Sequence, residues 1–305
     1  DIDRVRSLLV DIKVALGRVE NQTFGECKVC KGEVEHHRLE VQPATEVCLD
    51  CISKQEQTQL EEELFLASKI HRALLPQSVE QVEGFDIKAI SLAARTVGGD
   101  YYDFLPSVNG DSVRVVIADV MGKGLPAGLL MSNVQGALRI LSEEIESPSS
   151  LIARLNKWLC HNVPVTKFIS LACVSLMSRS GQDGYITYTN AGHCSPILFR
   201  GNGAVESLEP TGGVLGVHED FTYEERNLTM APGDLLLLYT DGVTEAANQQ
   251  GDMFEEERLM EYIRSRSASS LEIILDGLLS NVRNFSGKKE LGDDFTVIAL
   301  RKKKS

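Results

Sequence analysis

Apolar residues recur at helical spacing in two stretches near the start of the chain, residues 1–20 and 53–75. In the second stretch, Ser53 and Glu56 have the spacing of a capping box, which favours a helix that begins there. Pro76 then ends this helix, because proline lacks the backbone N–H that a helix interior requires. The first apolar stripe consists of Ile2, Val5, Leu8, Leu9, Ile12, Leu16 and Val19, and the second of Leu60, Leu64, Ala67, Ile70, Ala73 and Leu74.

From Phe85 onward the pattern changes to short apolar runs separated by glycine-rich turns, which is typical of β-strands. Strands are predicted at 86–92, 113–119, 169–177, 184–190, 195–200, 222–228, 234–239 and 295–301. Helical spacing interrupts them at about 126–146, 149–162, 255–265 and 270–285, with Pro126 in the first turn of its helix. Strands in groups, rather than in strict alternation with helices, predict an α+β fold of stacked antiparallel sheets with helices outside.

The length and charge of the chain limit its function. With 305 residues, of which 43% are hydrophobic, it is long enough for one large catalytic domain and a smaller appendage. No apolar run reaches the roughly 18 residues of a membrane span, and no leader precedes the first helix, so we expect a cytoplasmic protein with no membrane partner. The net charge of −13 argues against direct binding to nucleic acid, and the basic tail at 301–304 is interpreted as a solvated terminus.

Two Cys-x-x-Cys pairs, Cys27 with Cys30 and Cys48 with Cys51, stand seventeen residues apart. Two such turns supply four thiolates, which is a donor set that tetrahedral zinc prefers, so the spacing predicts one structural Zn²⁺. The alternatives are a chance pairing of thiols and a site that has lost its metal. The odd total of seven cysteines argues against a disulfide framework and for a reducing compartment.

The residues around these cysteines resemble the zinc finger of the DksA/TraR family over roughly residues 9–56. The matching segments are 15–21 (ALGRVEN), 25–30 (GECKVC), 38–40 (RLE), Pro43 and 48–51 (CLDC). The resemblance implies proteins that act on RNA polymerase through a long coiled coil with acidic tip residues, for which this chain has no room. The finger is therefore interpreted as a structural or docking module. His36 and His37, within the intervening loop, are expected to be exposed rather than to bind the metal.

Four motifs further along the chain each carry aspartate beside glycine or a turn: 97–103 (VGGDYYD), 117–124 (IADVMGKG), 239–245 (YTDGVTE) and 292–297 (GDDFTV). Any one of these aspartates alone is more typical of a turn residue than of a ligand. In combination the aspartates are better explained as ligands, because Asp119 and Asp241 follow strongly apolar strands, and Asp293 and Asp294 precede another. Carboxylates gathered at the ends of buried strands repel one another unless a hard cation neutralises them. Oxygen ligands without converging histidine or cysteine favour Mg²⁺ or Mn²⁺.

In their order, the four motifs closely resemble those of the PPM metal-dependent phosphatases, in the bacterial SpoIIE/RsbU branch, over about residues 62–301. Segments 74–76 (LLP), 190–193 (NAGH) and 213–217 (GVLGV) also fit this branch. The resemblance implies an antiparallel β-sandwich flanked by helices, in α/β/β/α layers, with two Mn²⁺ or Mg²⁺ ions in a cleft at one end. It assigns Asp119 as the bridging ligand beside the Val120 carbonyl, Asp241 and Asp293 as ligands of the other ion, Asp100 as a supporting ligand, and Asp294 as the alternative to the preferred Asp293.

The same resemblance implies that the two ions activate a water molecule, which attacks phosphorus without a covalent enzyme intermediate. Lys123 is assigned to contact the phosphate, with a solvated loop lysine as the alternative, and Arg95 is a candidate phosphate ligand. Met121 stands where eukaryotic relatives have a histidine, so the general acid is left open. His193 is interpreted as a structural turn residue, and Trp158 as a core residue on an apolar helix face.

The predicted organisation is a zinc finger with its flanking helix at 1–56, a helical linker at 57–78 and a phosphatase domain at 79–305. The predicted function is dephosphorylation of phosphoserine or phosphothreonine on a protein, which the resemblance implies to be an anti-sigma-factor antagonist with a STAS domain. The linker is expected either to form a homodimer with its copy or to pack on its own catalytic domain. The alternative function is a transcription-associated protein whose finger contacts RNA polymerase.

Overall fold

Helix α1 (Ile2–Glu20) leads into the cysteine-rich segment, which contains the short helix α2 (His36–Val41) and a 3₁₀ turn at Leu49–Cys51. The computed structural model describes residues 2–52, 54–76, 78, 82–110, 112–164, 166–177, 184–288 and 290–304. The chain forms two compact units, Asp1–Leu66 and Ala67–Ser305. Helix α3 (Lys54–Leu74) confirms the helix predicted at 53–75, whereas its expected cap Ser53 lies outside the described residues.

Arg18, in the last turn of α1, organises the cysteine-rich segment of the first unit. Its guanidinium donates hydrogen bonds to the carbonyls of Thr45 at 2.8 Å and Thr23 at 3.1 Å, and also to the carbonyl of Glu26. The planar guanidinium carries several donors in a fixed fork and can therefore join separate turns. This matters here because the buried apolar cluster of the unit is small, consisting of Cys27, Val34 and Cys48.

The second unit contains two five-stranded sheets in which all neighbouring strands pair antiparallel. The first sheet has the order β1-β10-β9-β6-β7 and the second has the order β2-β3-β4-β5-β8. The strands are β1 (Phe85–Leu92), β2 (Tyr101–Pro106), β3 (Ser112–Val120), β4 (Ile169–Met177), β5 (Gly184–Ala191), β6 (Ile197–Phe199), β7 (Val205–Ser207), β8 (Arg226–Met230), β9 (Leu235–Tyr239) and β10 (Phe295–Lys302).

Five helices follow in this unit: α4 (Leu125–Ser142), α5 (Pro148–Asn162), α6 (Asp241–Thr244), α7 (Glu255–Arg266) and α8 (Leu271–Ser286). Strand alternation distributes the core into layers, because successive side chains of a strand point to opposite faces. In β3, Val115 and Ile117 join the cluster between the two sheets, whereas Val116 and Ala118 join the cluster under α4 and α5. A third cluster joins the outer face of the first sheet to α7 and α8. The predicted α+β sandwich in α/β/β/α layers is confirmed.

Several elements differ from their prediction. Strand β2 was not expected, because both of its faces are buried and its residues therefore show no alternation of apolar and polar types. The strand expected at 222–228 lies at Arg226–Met230, and the short β7, α2 and α6 were missed. Trp158 was wrongly expected in the core: it is 36% exposed, at the edge of a groove between α4 and α5. Among the residues with a described placement, every helix falls short of the length and apolar character that a membrane span requires.

Candidate active site and cysteine centre

The sheet pairing brings the predicted aspartates to one end of the sandwich. Asp241 follows β9 after Thr240, and Asp293 and Asp294 directly precede β10, which pairs with β9 through Val297 and Tyr239. In the other sheet, Asp100 directly precedes β2, which pairs with β3 through Tyr101 and Ala118, next to Asp119. The cleft thus collects carboxylates that are far apart in the sequence.

These carboxylates lie close enough to shift one another's pKa. Burial, together with the charges of Asp241 and Asp293, raises the pKa of Asp119 to about 7. Burial and the charge of Asp119 raise the pKa of Asp100 well above its usual range, and burial followed by Glu245 and Asp293 raises that of Asp241. Each shift has the sign expected for like charges that share a poorly solvated space.

This donor set fits hard divalent cations. Its ligand atoms are carboxylate oxygens, which Mg²⁺ and Mn²⁺ prefer, and their repulsion is relieved when positive charge is bound between them. No three of these carboxylates come within 4.8 Å of one another, since in the described part of the chain only the cysteine group meets that criterion.

Asp293 and Asp294 have different surroundings. Asp294 is buried, and its two carboxylate oxygens accept hydrogen bonds from the backbone N–H groups of Ala94 at 2.7 Å and Gly99 at 2.6 Å. The side chain of Asp293 is 39% exposed and forms an ion pair with Lys123, with 2.7 Å between Oδ2 and Nζ. Asp294 therefore holds the loop that carries Asp100, and this contrast supports the preference for Asp293 as the metal ligand.

The two aspartates are expected to respond oppositely to replacement by asparagine. Asp294→Asn should lower the free energy of unfolding by roughly 2–4 kcal/mol, because an amide NH₂ would face a backbone N–H donor. Asp293→Asn should change that free energy by less than about 1 kcal/mol, since its ion pair is partly exposed, yet weaken Mn²⁺ binding by about tenfold or more. Urea unfolding and calorimetric Mn²⁺ titration of both variants measure these effects. Equal loss of stability in the two variants would contradict the assignment.

The predicted phosphate-binding residues also lie at this cleft. Lys123 donates to the Gly292 carbonyl at 3.1 Å in addition to its ion pair with Asp293, so it is fixed at the rim rather than freely solvated. Arg95 lines a cavity of about 370 Å³ together with Asp100 and Asp294. The Val120 carbonyl packs against Gly99, where an added Cβ would lie 2.9 Å from its oxygen.

Two polar residues at the cleft were quoted in the sequence motifs but given no role there. Thr240 donates its hydroxyl to Asp100 Oδ2 at 2.8 Å, which links the two sheets at the site. Glu245 lies close enough to raise the pKa of both Asp119 and Asp241. Its position four residues after Asp241, on one face of a helical turn, is the signal that could have indicated this.

His193 is a buried structural residue, as its position in a turn suggests. Its Nδ1 lies 2.8 Å from the Ser170 hydroxyl, and its backbone N–H donates to the side chain of Asn190 at 2.8 Å. Burial lowers the pKa of His193 to about 4. It therefore stays neutral in the fold over a pH range in which an unfolded chain would protonate it.

This difference predicts a pH-dependent stability. Between its ordinary pKa of 6.5 and the folded value of about 4, the unfolded state binds more protons. The burial of neutral His193 therefore does not lower the free energy of unfolding above pH 6.5. Below pH 6.5 it lowers that free energy by an amount that reaches roughly 3 kcal/mol as the pH falls to 4. His193→Asn should remove this slope in urea unfolding between pH 4.5 and 7, whereas the exposed His161→Asn should keep it. A slope that is equal in wild type and His193→Asn would refute the assignment.

The four predicted zinc ligands converge. The sulfur atoms of Cys27, Cys30, Cys48 and Cys51 all lie within 4.8 Å of one another, and those of Cys30 and Cys48 are 3.5 Å apart. The backbone N–H of Cys48 donates to the sulfur of Cys27 at 3.3 Å, and hydrogen bonds of this kind lower the pKa of Cys27 to about 6. Cys27 is therefore predisposed to the thiolate form, which binds metal. Burial raises the pKa of Cys48, and contact with the Cys48 thiol raises the pKa of Cys51.

The histidines of the finger stay outside this cluster. Both His36 and His37 are exposed, and His36 lies 3.4 Å from the carboxylate of Glu40 on α2. They are exposed, as expected, but they form the first turn of α2 instead of a loop. A donor set of four sulfurs remains, which fits a tetrahedral structural metal.

Comparison with known proteins agrees with both parts. The profile of the family described as Stage II sporulation protein E (SpoIIE) matches residues 109–303, and that of the prokaryotic dksA/traR C4-type zinc finger matches residues 22–57. The phosphoserine phosphatase RsbU of Bacillus subtilis is 32% identical over 248 residues, which cover 81% of this chain and 72% of RsbU.

Two further comparisons concern the phosphatase-like unit and the zinc finger separately. The SiaA PP2C domain of Pseudomonas aeruginosa superposes with a TM-score of 0.70 at 21% identity, covering 81% of this chain and 98% of that structure. The RNA polymerase-binding transcription factor DksA of Escherichia coli is 41% identical over 49 residues, which are 16% of this chain and only 32% of DksA. The first similarity shows the fold of the large unit, and the second is confined to the finger.

Proposed function

We propose, since this chain belongs to the SpoIIE family, that its acidic cleft binds two Mn²⁺ or Mg²⁺ ions and dephosphorylates phosphoserine or phosphothreonine on a protein. The chain is accordingly a protein serine/threonine phosphatase. The observation that carries the proposal is the position of Asp100, Asp119, Asp241 and Asp293 at one end of the sandwich, with pKa shifts that show mutual repulsion.

Each residue at this site has a separate proposed role. Asp119, Asp241 and Asp293 would hold the ions, with the Val120 carbonyl beside Asp119. When bound, two divalent ions supply an activated water and neutralise charge on the phosphate oxygens. Lys123 and Arg95 are placed to attract and orient the phosphate group at the rim. The general acid stays open, because Met121 at the expected position has no proton to donate.

The metal dependence tests this proposal with a substrate that needs no protein partner. Hydrolysis of p-nitrophenyl phosphate by the full chain should require Mn²⁺ or Mg²⁺, stop with EDTA, and return when Mn²⁺ is added in excess. Hydrolysis that continues unchanged in EDTA, or its absence at every metal concentration, would refute the proposal.

The protein substrate is proposed to be an anti-sigma-factor antagonist with a STAS domain. Its support is the resemblance to the SpoIIE/RsbU branch and the 32% identity to a phosphoserine phosphatase. Mass spectrometry of phosphorylated STAS-domain proteins incubated with enzyme and Mn²⁺ should show loss of one phosphate. A chain that cleaves p-nitrophenyl phosphate but no phosphorylated STAS protein would contradict this substrate, although not the enzyme class.

The predicted organisation stays part of the proposal, with a zinc-binding module at 1–56, a linker at 57–78 and the phosphatase at 79–305. Zinc is supported by the four converging sulfurs and by the match of residues 22–57 to a C4-type finger. Residue 79 lies outside the described residues, so the boundary there is an expectation from the sequence alone. Metal analysis of the purified full chain should give about one zinc per molecule, which four thiolates would require.

We further propose that α3 mediates a homodimer. Leu66 and Ile70 on this helix are 57% and 55% exposed, which leaves apolar surface available to a second copy. Light scattering of the full chain should give the mass of a dimer, and the double substitution Leu66→Glu with Ile70→Glu should give a monomer. A wild-type monomer would exclude this assembly.

The alternative function is binding of RNA polymerase through the finger. The observation that favours it is the 41% identity to DksA over 49 residues. A pull-down with purified RNA polymerase, comparing wild type with a Cys27→Ser variant, tests it. Binding that depends on the finger, in a chain that lacks phosphatase activity, would make this the better description.

A further inference from the structure

His71 lies on helix α3, in the part that belongs to the second unit, and it is 6% exposed. Its Nε2 is 2.9 Å from the carbonyl oxygen of Gly98. A carbonyl can only accept a hydrogen bond, so Nε2 carries the proton and donates it. Burial lowers the pKa of His71, which keeps the ring in a neutral form with a single N–H. The buried ring thus ties a helix to the loop that carries Asp100.

The loop at residues 97–100 fits tightly against the active site. An added Cβ at Gly98 would lie 2.6 Å from Asp294 Oδ2, and one at Gly99 would lie 2.9 Å from the Val120 carbonyl oxygen. The Gly99 N–H donates to Asp294, and the Asp100 carboxylate accepts from Thr240. A rotation of the Gly98–Gly99 peptide would therefore disturb both the Asp294 contact and the position of Asp100.

Helix α4 closes the other side of this contact. An added Cβ at Gly128 would lie 3.3 Å from the Gly98 oxygen and 3.3 Å from His71 Cδ2, and it would overlap a methyl group of Val97. Gly98 is buried, although it and His71 line the cavity of about 370 Å³ described above, and an unpaired polar group in a buried position costs about 1–3 kcal/mol. If the His71 donor is lost, we expect the loop to move, because the Gly98 carbonyl would then turn toward another donor.

We propose that His71 is a positioning residue of the phosphatase site, which fixes the Gly98 carbonyl, preserves the contact of this loop with Asp294, and thereby holds Asp100 in the arrangement that binds metal. This inference rests on the proposed function. It assigns to α3, which begins in the cysteine-bearing unit, a direct hydrogen bond to the active-site loop. His71 itself touches neither substrate nor metal and acts through the backbone of residues 98–100.

The test compares two substitutions of similar length in the full chain. His71→Gln retains an N–H donor that can reach the Gly98 carbonyl, whereas His71→Met fills similar space without a donor. Calorimetric Mn²⁺ titration is the main readout, since it does not depend on catalysis. His71→Met should weaken Mn²⁺ binding by about 10–100-fold, as is typical when a group that orients a ligand is removed. His71→Gln should stay within about threefold of wild type.

The second readout is p-nitrophenyl phosphate hydrolysis at increasing Mn²⁺. His71→Met should need proportionally more Mn²⁺ for half-maximal rate but approach the wild-type rate at saturation. The exposed His161→Met is the matched control and should change neither quantity. If His71→Met does not fold, His71→Asn replaces it, because its shorter amide cannot reach the Gly98 oxygen.

The outcomes separate this inference from the proposed function. Wild-type Mn²⁺ affinity in a folded variant without the donor would overturn the role of His71 while leaving the phosphatase intact. An equal loss in His71→Gln and His71→Met would also overturn it, since the hydrogen bond would then be irrelevant. A wild-type chain that neither binds Mn²⁺ nor hydrolyses p-nitrophenyl phosphate would instead refute the proposed function.

Discussion

Asp119→Asn is expected to reduce p-nitrophenyl phosphate hydrolysis by about 10³-fold or more at any Mn²⁺ concentration. Asp119 has the central position in the cleft, where its pKa responds to Asp241, Asp293, Asp294 and Glu245. An amide cannot supply the negative charge that holds divalent ions, and several kcal/mol of transition-state stabilisation are lost with them. Since about 1.4 kcal/mol corresponds to a factor of ten in rate, a loss of 4 kcal/mol accounts for this decrease.

The same substitution should stabilise the fold in the absence of metal. The folded-state pKa of about 7 exceeds the ordinary value of 3.8, so the unfolded state gives up its proton more readily. Above pH 7 the ionised Asp119 therefore destabilises the folded protein, and Asp119→Asn should raise the free energy of unfolding by roughly 2–4 kcal/mol at pH 8 with EDTA. Urea unfolding measures the gain, and stopped assays measure the activity.

A buried aspartate outside the cleft provides the control. Asp234 is buried and pairs with Arg200 at 3.0 Å, so Asp234→Asn should lower stability while keeping the rate of the folded enzyme within about threefold. The opposite behaviour of the two variants separates a functional carboxylate from a structural one. Activity in Asp119→Asn above one tenth of wild type would contradict the role given to this residue.

Cys27→Ser is expected to unfold the cysteine-rich segment and leave the phosphatase reaction in place. Cys27 is completely buried, and its sulfur accepts the backbone N–H of Cys48. Because the apolar cluster of this segment is small, we expect metal binding to supply most of its folding free energy; structural zinc sites supply about 10–16 kcal/mol in total. Loss of one of four thiolates should remove a large share of that free energy.

Three measurements check this expectation. Zinc content should fall from about one per chain to near zero, limited proteolysis should cut within residues 22–57, and Mn²⁺-dependent hydrolysis of p-nitrophenyl phosphate should persist. Cys160→Ser is the matched control, since this half-buried thiol lies on α5 of the second unit and is not a member of the four-sulfur group. A Cys27→Ser variant that resists proteolysis as wild type does would show that the metal is not needed for folding.

The carboxylate cleft and the four-sulfur group are proposed metal sites with different kinds of donor atom. In each, the fold brings together groups that a bound cation would stabilise. Hard carboxylate ligands in general prefer Mg²⁺ or Mn²⁺, and soft thiolate ligands prefer zinc, so we expect the two sites to bind different metals. Because the two donor sets belong to different compact units, we expect removal of one metal to leave the other centre intact.

The sequence by itself determined much of this protein. The spacing of the cysteine pairs predicted a four-sulfur cluster, because two tight turns can converge whatever fold surrounds them. Strands such as β3 and β4 were predicted within a residue or two, since a long apolar β-branched run leaves few alternatives. The order of the aspartate motifs indicated the family, and the matched profile confirmed it.

Only the tertiary structure decided how neighbouring residues differ. Asp293 and Asp294 look alike in the sequence, yet Asp294 accepts a hydrogen bond from Gly99, 195 positions away, whereas Asp293 pairs with Lys123 at the rim. Likewise, nothing in the helical stripe of α3 indicates that His71 meets the Gly98 carbonyl. Local patterns record propensity and burial, whereas these contacts depend on how separate elements pack. The sequence therefore predicted that the carboxylates share a site, and the tertiary structure determined the partners of each one.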